Sequence, residues 1–297
     1  MPSWSEFQPF IAIGLAAGGV YALSAVGIVV LYRATGVLNL AFGAIGGVGA
    51  LIAWSMINTW HWPSGVAYAS CVLFGGVATL AYGAVFGRLL AARDPLVKAA
   101  ATLGLALLLL GVMNRLWPAQ VTRSISLPSD NSGFTIGGNS VDWTQVIAVG
   151  FGIIMTVGTA IFLRATRIGT AMRALADDRE ITATLGVPVR RVEAAAWFGS
   201  GLLSGAAGLL LADLASLASD YMTFIVIFTL SAALVARLRS LTVTFFAAMV
   251  IGLLDNLITP ITSITNFRDL TPFVLAVAAL LFFARGRQYS FARGGIR

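Results

Sequence analysis

The stretch "LYRATGVLNLAFGAIGGVGAL", Leu31 to Leu51, decides how the whole chain is read. An apolar run is broken by Arg33, Thr35 and Asn39, and then continues through Gly43, Gly46, Gly47 and Gly49. Each glycine costs roughly 1 kcal/mol against alanine in an ordinary helix interior, so something must compensate. At membrane depth, irregular backbone is tolerated only where protein buries it or a cavity faces it. A broken or re-entrant segment over 33–47 supplies that setting. It aims Asn39 and the free backbone groups of a helix N-terminus at a translocated solute.

Outward from this stretch, the composition is that of a membrane protein. The 297 residues are 58% hydrophobic and 10% charged, with a mean hydropathy of +0.90, where a soluble domain carries about a quarter charged residues. A bilayer-crossing helix needs about 20 apolar residues. Such runs lie near 10–32, 37–57, 65–90, 99–117, 143–163, 192–213, 221–236, 241–259 and 272–284. The expected fold is an all-α polytopic membrane protein, a single transmembrane domain over 1–297 with eight or nine spans. The second of these enters without necessarily crossing. The N-terminus, MPSWSEFQPF, lacks the basic start and cleavage site of a signal peptide.

The net charge of +7 and pI near 10.3 reflect topology, not a nucleic-acid footprint. With these spans, 16 of the 19 basic residues fall on one side, and only Arg115, Arg123 and Arg268 on the other. A Lys and Arg excess marks the cytoplasmic face. Nine spans then put the N-terminus outside and the C-terminus inside a cytoplasmic membrane.

Two polar segments interrupt the spans. Residues 118–142 form an external loop rich in Ser, Pro, Gly and Asn, with room for a short strand or interfacial helix. Residues 164–191 form the longest polar stretch, on the cytoplasmic side. There Ile168, Ala171, Met172, Leu175, Ile181 and Leu185 are spaced as an apolar stripe on one or two short helices. Gly186 and then Pro188 stop it. A helix of this kind either lies on lipid headgroups or presents itself to a soluble partner.

Enzymatic chemistry has no foothold. The only lysine, Lys98, sits in "DPLVKAA", so no phosphate-cradling G-x-x-x-x-G-K-[ST] loop exists. His61 lies between Trp60 and Trp62 in an external aromatic anchor. The single Cys71 excludes an internal disulfide or thiolate metal site. No cofactor is expected. Intramembrane polar residues are the functional candidates. They are Asn39, Asp255 and Asn256 deep in the eighth span, and, more weakly, Asn114 and Arg115 near an outer end. Asn39, Asp255 and Asn256, together with Thr35, Gly43 and Gly46, outline the expected substrate pathway. The pairs Gly14–Gly18, Gly43–Gly47, Gly83–Gly87 and Gly201–Gly205 read as helix-packing motifs.

The stretch "GVYALSAVGIVVLYRATGVLNLAFGAIGGVGA" resembles the opening of the ABC-importer permeases for branched-chain amino acids, in particular their smaller, H-type subunit. Matching positions include Gly19, Tyr21, Gly27, Tyr32, Asn39, Gly43 and Gly49. A second match, at Thr166, Arg167, Gly169, Arg173, Asp178, Ala183 and Gly186, falls in the cytoplasmic stretch. The resemblance implies that this stretch couples to an ATPase through Arg167, Gly169, Arg173, Asp177, Asp178 and Gly186. It also implies a second permease subunit, two ATP-binding-cassette ATPases and an extracytoplasmic solute-binding protein as partners. Where that family usually carries a glycine-rich turn after the seventh span, this chain has Arg237 and Arg239 in "ALVARLRSLTVTFF". The substrate therefore stays open among branched-chain amino acids, amides, urea and aromatic carboxylates. The competing class is a secondary carrier driven by protons through Asp255.

Overall fold

The computed structural model describes residues 4–90, 93–118, 123–127, 133–136, 139–261, 270–274, 276–278 and 281. Ten helices are defined among them: α1 (Trp4–Thr35), α2 (Phe42–Asn58), α3 (Ser64–Leu89), α4 (Pro95–Leu116), α5 (Trp143–Ala165), α6 (Arg167–Asp177), α7 (Arg179–Thr184), α8 (Val189–Leu214), α9 (Ser219–Val235) and α10 (Leu241–Leu257). Residues 271–274 and 276–278 are again helical. Residues 275, 279, 280 and 282–284 of the last expected span, Arg268 and the basic tail from Arg285 onward lie outside the described residues. The chain is an all-α polytopic membrane protein. Five helices (α1, α3, α4, α5 and α8) are long and apolar enough to cross a bilayer, and α2, α9 and α10 are shorter apolar helices.

Helices α1, α3 and α5 end, and α4 and α8 begin, at one end of the bundle, which gathers Arg33, Lys98, Arg164 and Arg190 there. Arg33 donates from Nη1 to the Arg239 carbonyl there, 3.2 Å away. This is the basic end; Trp60 and Trp62, both exposed, mark the opposite one.

Helix α1 is the axis of the bundle. Its apolar window is 83% buried, against 17% for α4 and 22% for α5, which face outward. It packs on α10, α8, α5 and α9, while α3 lies along α8 and α2 wedges between α3, α8 and α9. In lipid no hydrophobic force drives helices together, so close backbone approach does the work. At the α1–α10 contact a Cβ on Gly18 would lie 2.9 Å from the Met249 Cα, and Gly252 faces Gly18 across the same seam. At the α3–α8 contact Gly205 sits on the Cys71 carbonyl and Gly201 on Gly75. The buried thiol of Cys71 donates to the Gly205 carbonyl at 3.3 Å and seals that seam.

The loop between α4 and α5 is more built than a connector. Strands β1 (Gly133–Ile136) and β2 (Asn139–Asp142) pair antiparallel, with Gly133 opposite Asp142. Upstream, Ile125 is buried in the core, its N–H donating to the Ala212 carbonyl at 3.1 Å. The Leu127 N–H donates to Asp213 Oδ1 at 2.6 Å, and Arg123 stacks 5.1 Å over Trp54.

Candidate functional site

The break between α1 and α2 is real and lies inside the bundle. Gly36, at φ +69°, turns the chain, and its N–H donates to the Tyr32 carbonyl at 2.7 Å, closing α1. Residues 36–41 then climb back, because the Phe42 ring packs against Gly27. Gly27 lies eight residues before the end of α1, about 12 Å along its axis. Non-helical backbone at that depth needs partners. Thr102 of α4, fully buried, supplies two: its hydroxyl donates to the Leu38 carbonyl at 2.8 Å and accepts from the Leu40 N–H at 3.1 Å. Thr35 accepts from the Val37 N–H at 3.2 Å. Asn39 is buried; its Oδ1 accepts from the Ala41 N–H at 3.1 Å, while its Nδ2 has no hydrogen-bond partner among the described residues.

Around α2 the bundle is closed. A void of about 10 Å³ is all that remains between Ser24, Gly43, Gly46, Ser204, Gly208 and Met222. Gly43 and Gly46 owe their place to packing, since a Cβ on Gly46 would meet the Ser204 carbonyl and one on Gly43 the Met222 carbonyl. The Ser204 hydroxyl donates to the Phe42 carbonyl at 2.6 Å and holds α2 on α8. Toward the opposite end, past Leu211, opens a cavity of about 690 Å³. Asp220, Tyr221, Asp255 and Asn256 contribute its polar lining, and Ile13, Phe224 and Phe273 belong to its apolar wall. Toward the basic end, Val26, Leu31, Val37, Met172, Leu175 and Trp197 close a second apolar cluster.

The six expected pathway residues therefore do not form one site. Asp255 and Asn256 share the outer cavity, Gly43 and Gly46 the closed void, and Thr35 lines a separate cavity at the basic end. Asp255 is buried, two residues before the end of α10. The helix α10 ends at Leu257, and Asn256 packs beside Gly14 near the start of α1. Asn114 and Arg115 are exposed on the outward face of α4.

Within residues 164–191 the chain forms two helices. Thr166 caps α6 by accepting from the Gly169 N–H at 2.9 Å, and Asp178 caps α7 by accepting from the Ile181 N–H at 2.9 Å. The expected stripe splits. Met172 and Leu175 are buried, whereas Ile168, Ile181 and Leu185 are 46%, 59% and 78% exposed. Arg167, Asp177 and Asp178 are exposed too, and Arg173 is half-buried. Gly169, expected on the partner surface, is instead buried against the Phe162 carbonyl and Leu163, where it sets α6 on α5. Gly186, at φ +80°, ends α7.

The family model described as "Branched-chain amino acid transport system / permease component" matches residues 10–284. The chain belongs to this family. It is 23% identical over 288 residues to the high-affinity branched-chain amino acid transport system permease protein LivH of Escherichia coli, covering 92% of both chains. It is 22% identical over 297 residues to the corresponding protein BraD of Pseudomonas aeruginosa, covering 95% of both. A probable LivH of Methanocaldococcus jannaschii is 26% identical over 253 residues, covering 80% of this chain and 76% of its own. No solved structure matches.

Sequence reasoning about this branched-chain permease missed Thr102, Ser204, Asp220 and Tyr221. Thr and Ser in apolar helices read as helix-packing residues, and nothing local marks Thr102 as the partner of a backbone 62 residues away. Asp220 and Tyr221 were hidden at the start of α9, where polar residues are ordinary.

Proposed function

We propose that the chain is one of two permease subunits of an ABC importer, residing in a bacterial cytoplasmic membrane. It moves a branched-chain amino acid, or a similarly small polar solute, inward by alternating access. The family match over residues 10–284 carries this reading. Nine spans, with an outside N-terminus and the basic end in the cytoplasm, follow from the distribution of Lys and Arg.

In this reading the solute arrives from an extracytoplasmic binding protein and enters the outer cavity, whose volume of about 690 Å³ is that of an ordinary small-molecule site. Asp255 and Asn256 offer the polar contacts, and the aromatic and aliphatic wall takes an apolar side chain. The void at Gly43 and Gly46 and the apolar cluster beneath it form the closed gate. Asn39, at the broken segment, lies on the route that opens when α2 shifts against α8 and α9. Partner ATPases dock on α6 and α7, where Ile168, Ile181 and Leu185 are exposed beside Arg167, Arg173, Asp177 and Asp178. Two ATPase subunits and a second permease complete the assembly, and ATP hydrolysis belongs to the partners.

The test is uptake of labelled leucine into liposomes. Concentrative uptake is expected only when the permease pair, the ATPases, ATP and the binding protein are all present. Uphill uptake by this chain alone under a proton gradient would overturn the reading in favour of a secondary carrier.

A further inference from the structure

At the basic end a cavity of about 370 Å³ opens between α3, the α1–α2 break and the start of α8. It is chemically graded. Lys98, Arg179, Arg190 and Glu193 stand around it, and Leu80, Phe86 and Trp197 belong to its apolar wall. Arg179 and Glu193 neutralise each other in an ion pair. Lys98 and Arg190 have no anionic partner among the described residues, so the cavity carries two uncompensated cations. The α3 wall runs from Leu90 up to Leu80, about 15 Å along the helix. On the neighbouring face of α3, Val77, Val85 and Leu89 are exposed.

We propose that this cavity binds one anionic phospholipid, with its phosphate on Lys98 and Arg190 and part of an acyl chain against the α3 wall. Basic pockets between transmembrane helices on the cytoplasmic side are suited to acidic lipid headgroups. A small soluble anion would satisfy the two cations but leave some 15 Å of apolar wall uncovered, at a cost that a lipid chain removes. The amphipathic gradient therefore selects a lipid over free phosphate. This proposal does not depend on which solute is carried.

The test uses the full chain purified in mild detergent and native mass spectrometry, with phosphatidylglycerol and phosphatidylethanolamine of identical chains as probes. Wild type is expected to retain one phosphatidylglycerol in preference to phosphatidylethanolamine. Lys98→Gln with Arg190→Gln should weaken that preference about 30-fold, at the usual contribution of a surface cation to acidic-lipid binding. A second variant leaves every charge in place. Gly87 lines the cavity, and a Cβ there meets only the Trp197 Nε1, 3.9 Å away. The Cβ of Gly87→Leu is thus accommodated, and its side chain should occupy the cavity and expel both lipids while the chain still folds. Displacement of phosphatidylglycerol by millimolar inorganic phosphate would overturn the proposal in favour of a free-anion site. Undiminished preference in the double variant would overturn it as well. So would a double variant that keeps its lipid but no longer holds the ATPase subunits, since the cations would then belong to a protein interface.

Discussion

Thr102→Val is the sharpest probe of the broken segment. The substitution is nearly isosteric and leaves the methyl group, so packing is retained while the hydroxyl goes. Two backbone groups then lose their partner: the Leu40 N–H, now 3.1 Å from Oγ1, and the Leu38 carbonyl, now 2.8 Å from it. A buried polar group left unpaired costs about 1–3 kcal/mol. The hydroxyl also lies 2.8 Å from the Ala99 carbonyl; with one proton to give, it cannot serve both acceptors fully, so the carbonyl loss counts at the low end. A total of about 2–4 kcal/mol is expected, which is roughly a 30- to 700-fold rise in opening of residues 36–41 if that segment opens locally. Thr102→Ser keeps the hydroxyl and loses only a buried methylene's worth of contact, about 0.8 kcal/mol. Hydrogen exchange over Gly36–Ala41, read beside thermal unfolding in detergent, separates the two variants. If the Val variant exchanges no faster than the Ser variant, the hydroxyl does not hold the break and the reasoning fails.

Asp255→Asn keeps the shape of the outer cavity and removes its buried carboxylate; uptake by the assembled transporter should fall markedly at unchanged expression, and wild-type uptake would remove Asp255 from the solute's path. Asn39→Leu should lower thermal stability by about 1–3 kcal/mol, because the Ala41 N–H loses its acceptor; Asn39→Ser restores a side-chain acceptor, and full recovery of uptake with it would mean that Asn39 only shapes the turn. Ile181→Asp with Leu185→Asp alters two exposed apolar side chains and should abolish co-purification of the ATPases while the chain still reaches the membrane; intact ATPase-coupled uptake would rule out docking on α7. Arg237→Gly should raise stability by about 0.5–1 kcal/mol, since a left-handed backbone costs an ordinary residue roughly 1–2 kcal/mol and glycine returns part of that gain through unfolded-state entropy; an unchanged unfolding midpoint would refute it.

That last prediction bears on how the sequence reads. The two arginines after α9 depart from the glycine-rich turn of the resembled family, and this departure left the substrate open. In the fold, Arg237 and Leu238 both take positive φ, 54° and 57°, the conformation that glycine adopts without strain. Leu238 is buried in the basic-end cluster, and burial of such a side chain contributes about 2 kcal/mol against the strain. The departure is thus a matter of local backbone strain at the basic end, remote from the outer cavity. The helices themselves were legible because runs of apolar residues have no other stable form in a bilayer. Their ends were legible to within a few residues: the span expected at 241–259 is α10, Leu241–Leu257, and Pro260 follows, where a helix cannot keep its backbone hydrogen bonding.

The site was legible only as residue types. Asn39 stood out because an amide in an apolar run demands a reason, and three reasons compete: a solute, a helix neighbour or its own backbone. Periodicity cannot choose among them, since each is compatible with the same position. The structure gives the third a share, through the turn onto the Ala41 N–H, and leaves the Nδ2 donor unspent among the described residues. The glycines that follow show the same ambiguity resolved the other way. Gly43 and Gly46 sit against the carbonyls of Met222 and Ser204, contacts between segments some 160 to 180 residues apart that no local pattern encodes. They answer the helix cost that the opening stretch raised: what each glycine forfeits in helix propensity is offset by the approach of α2 to α8 and α9. That approach also shapes the proposed gate, because two backbones in contact leave no passage until one of them moves.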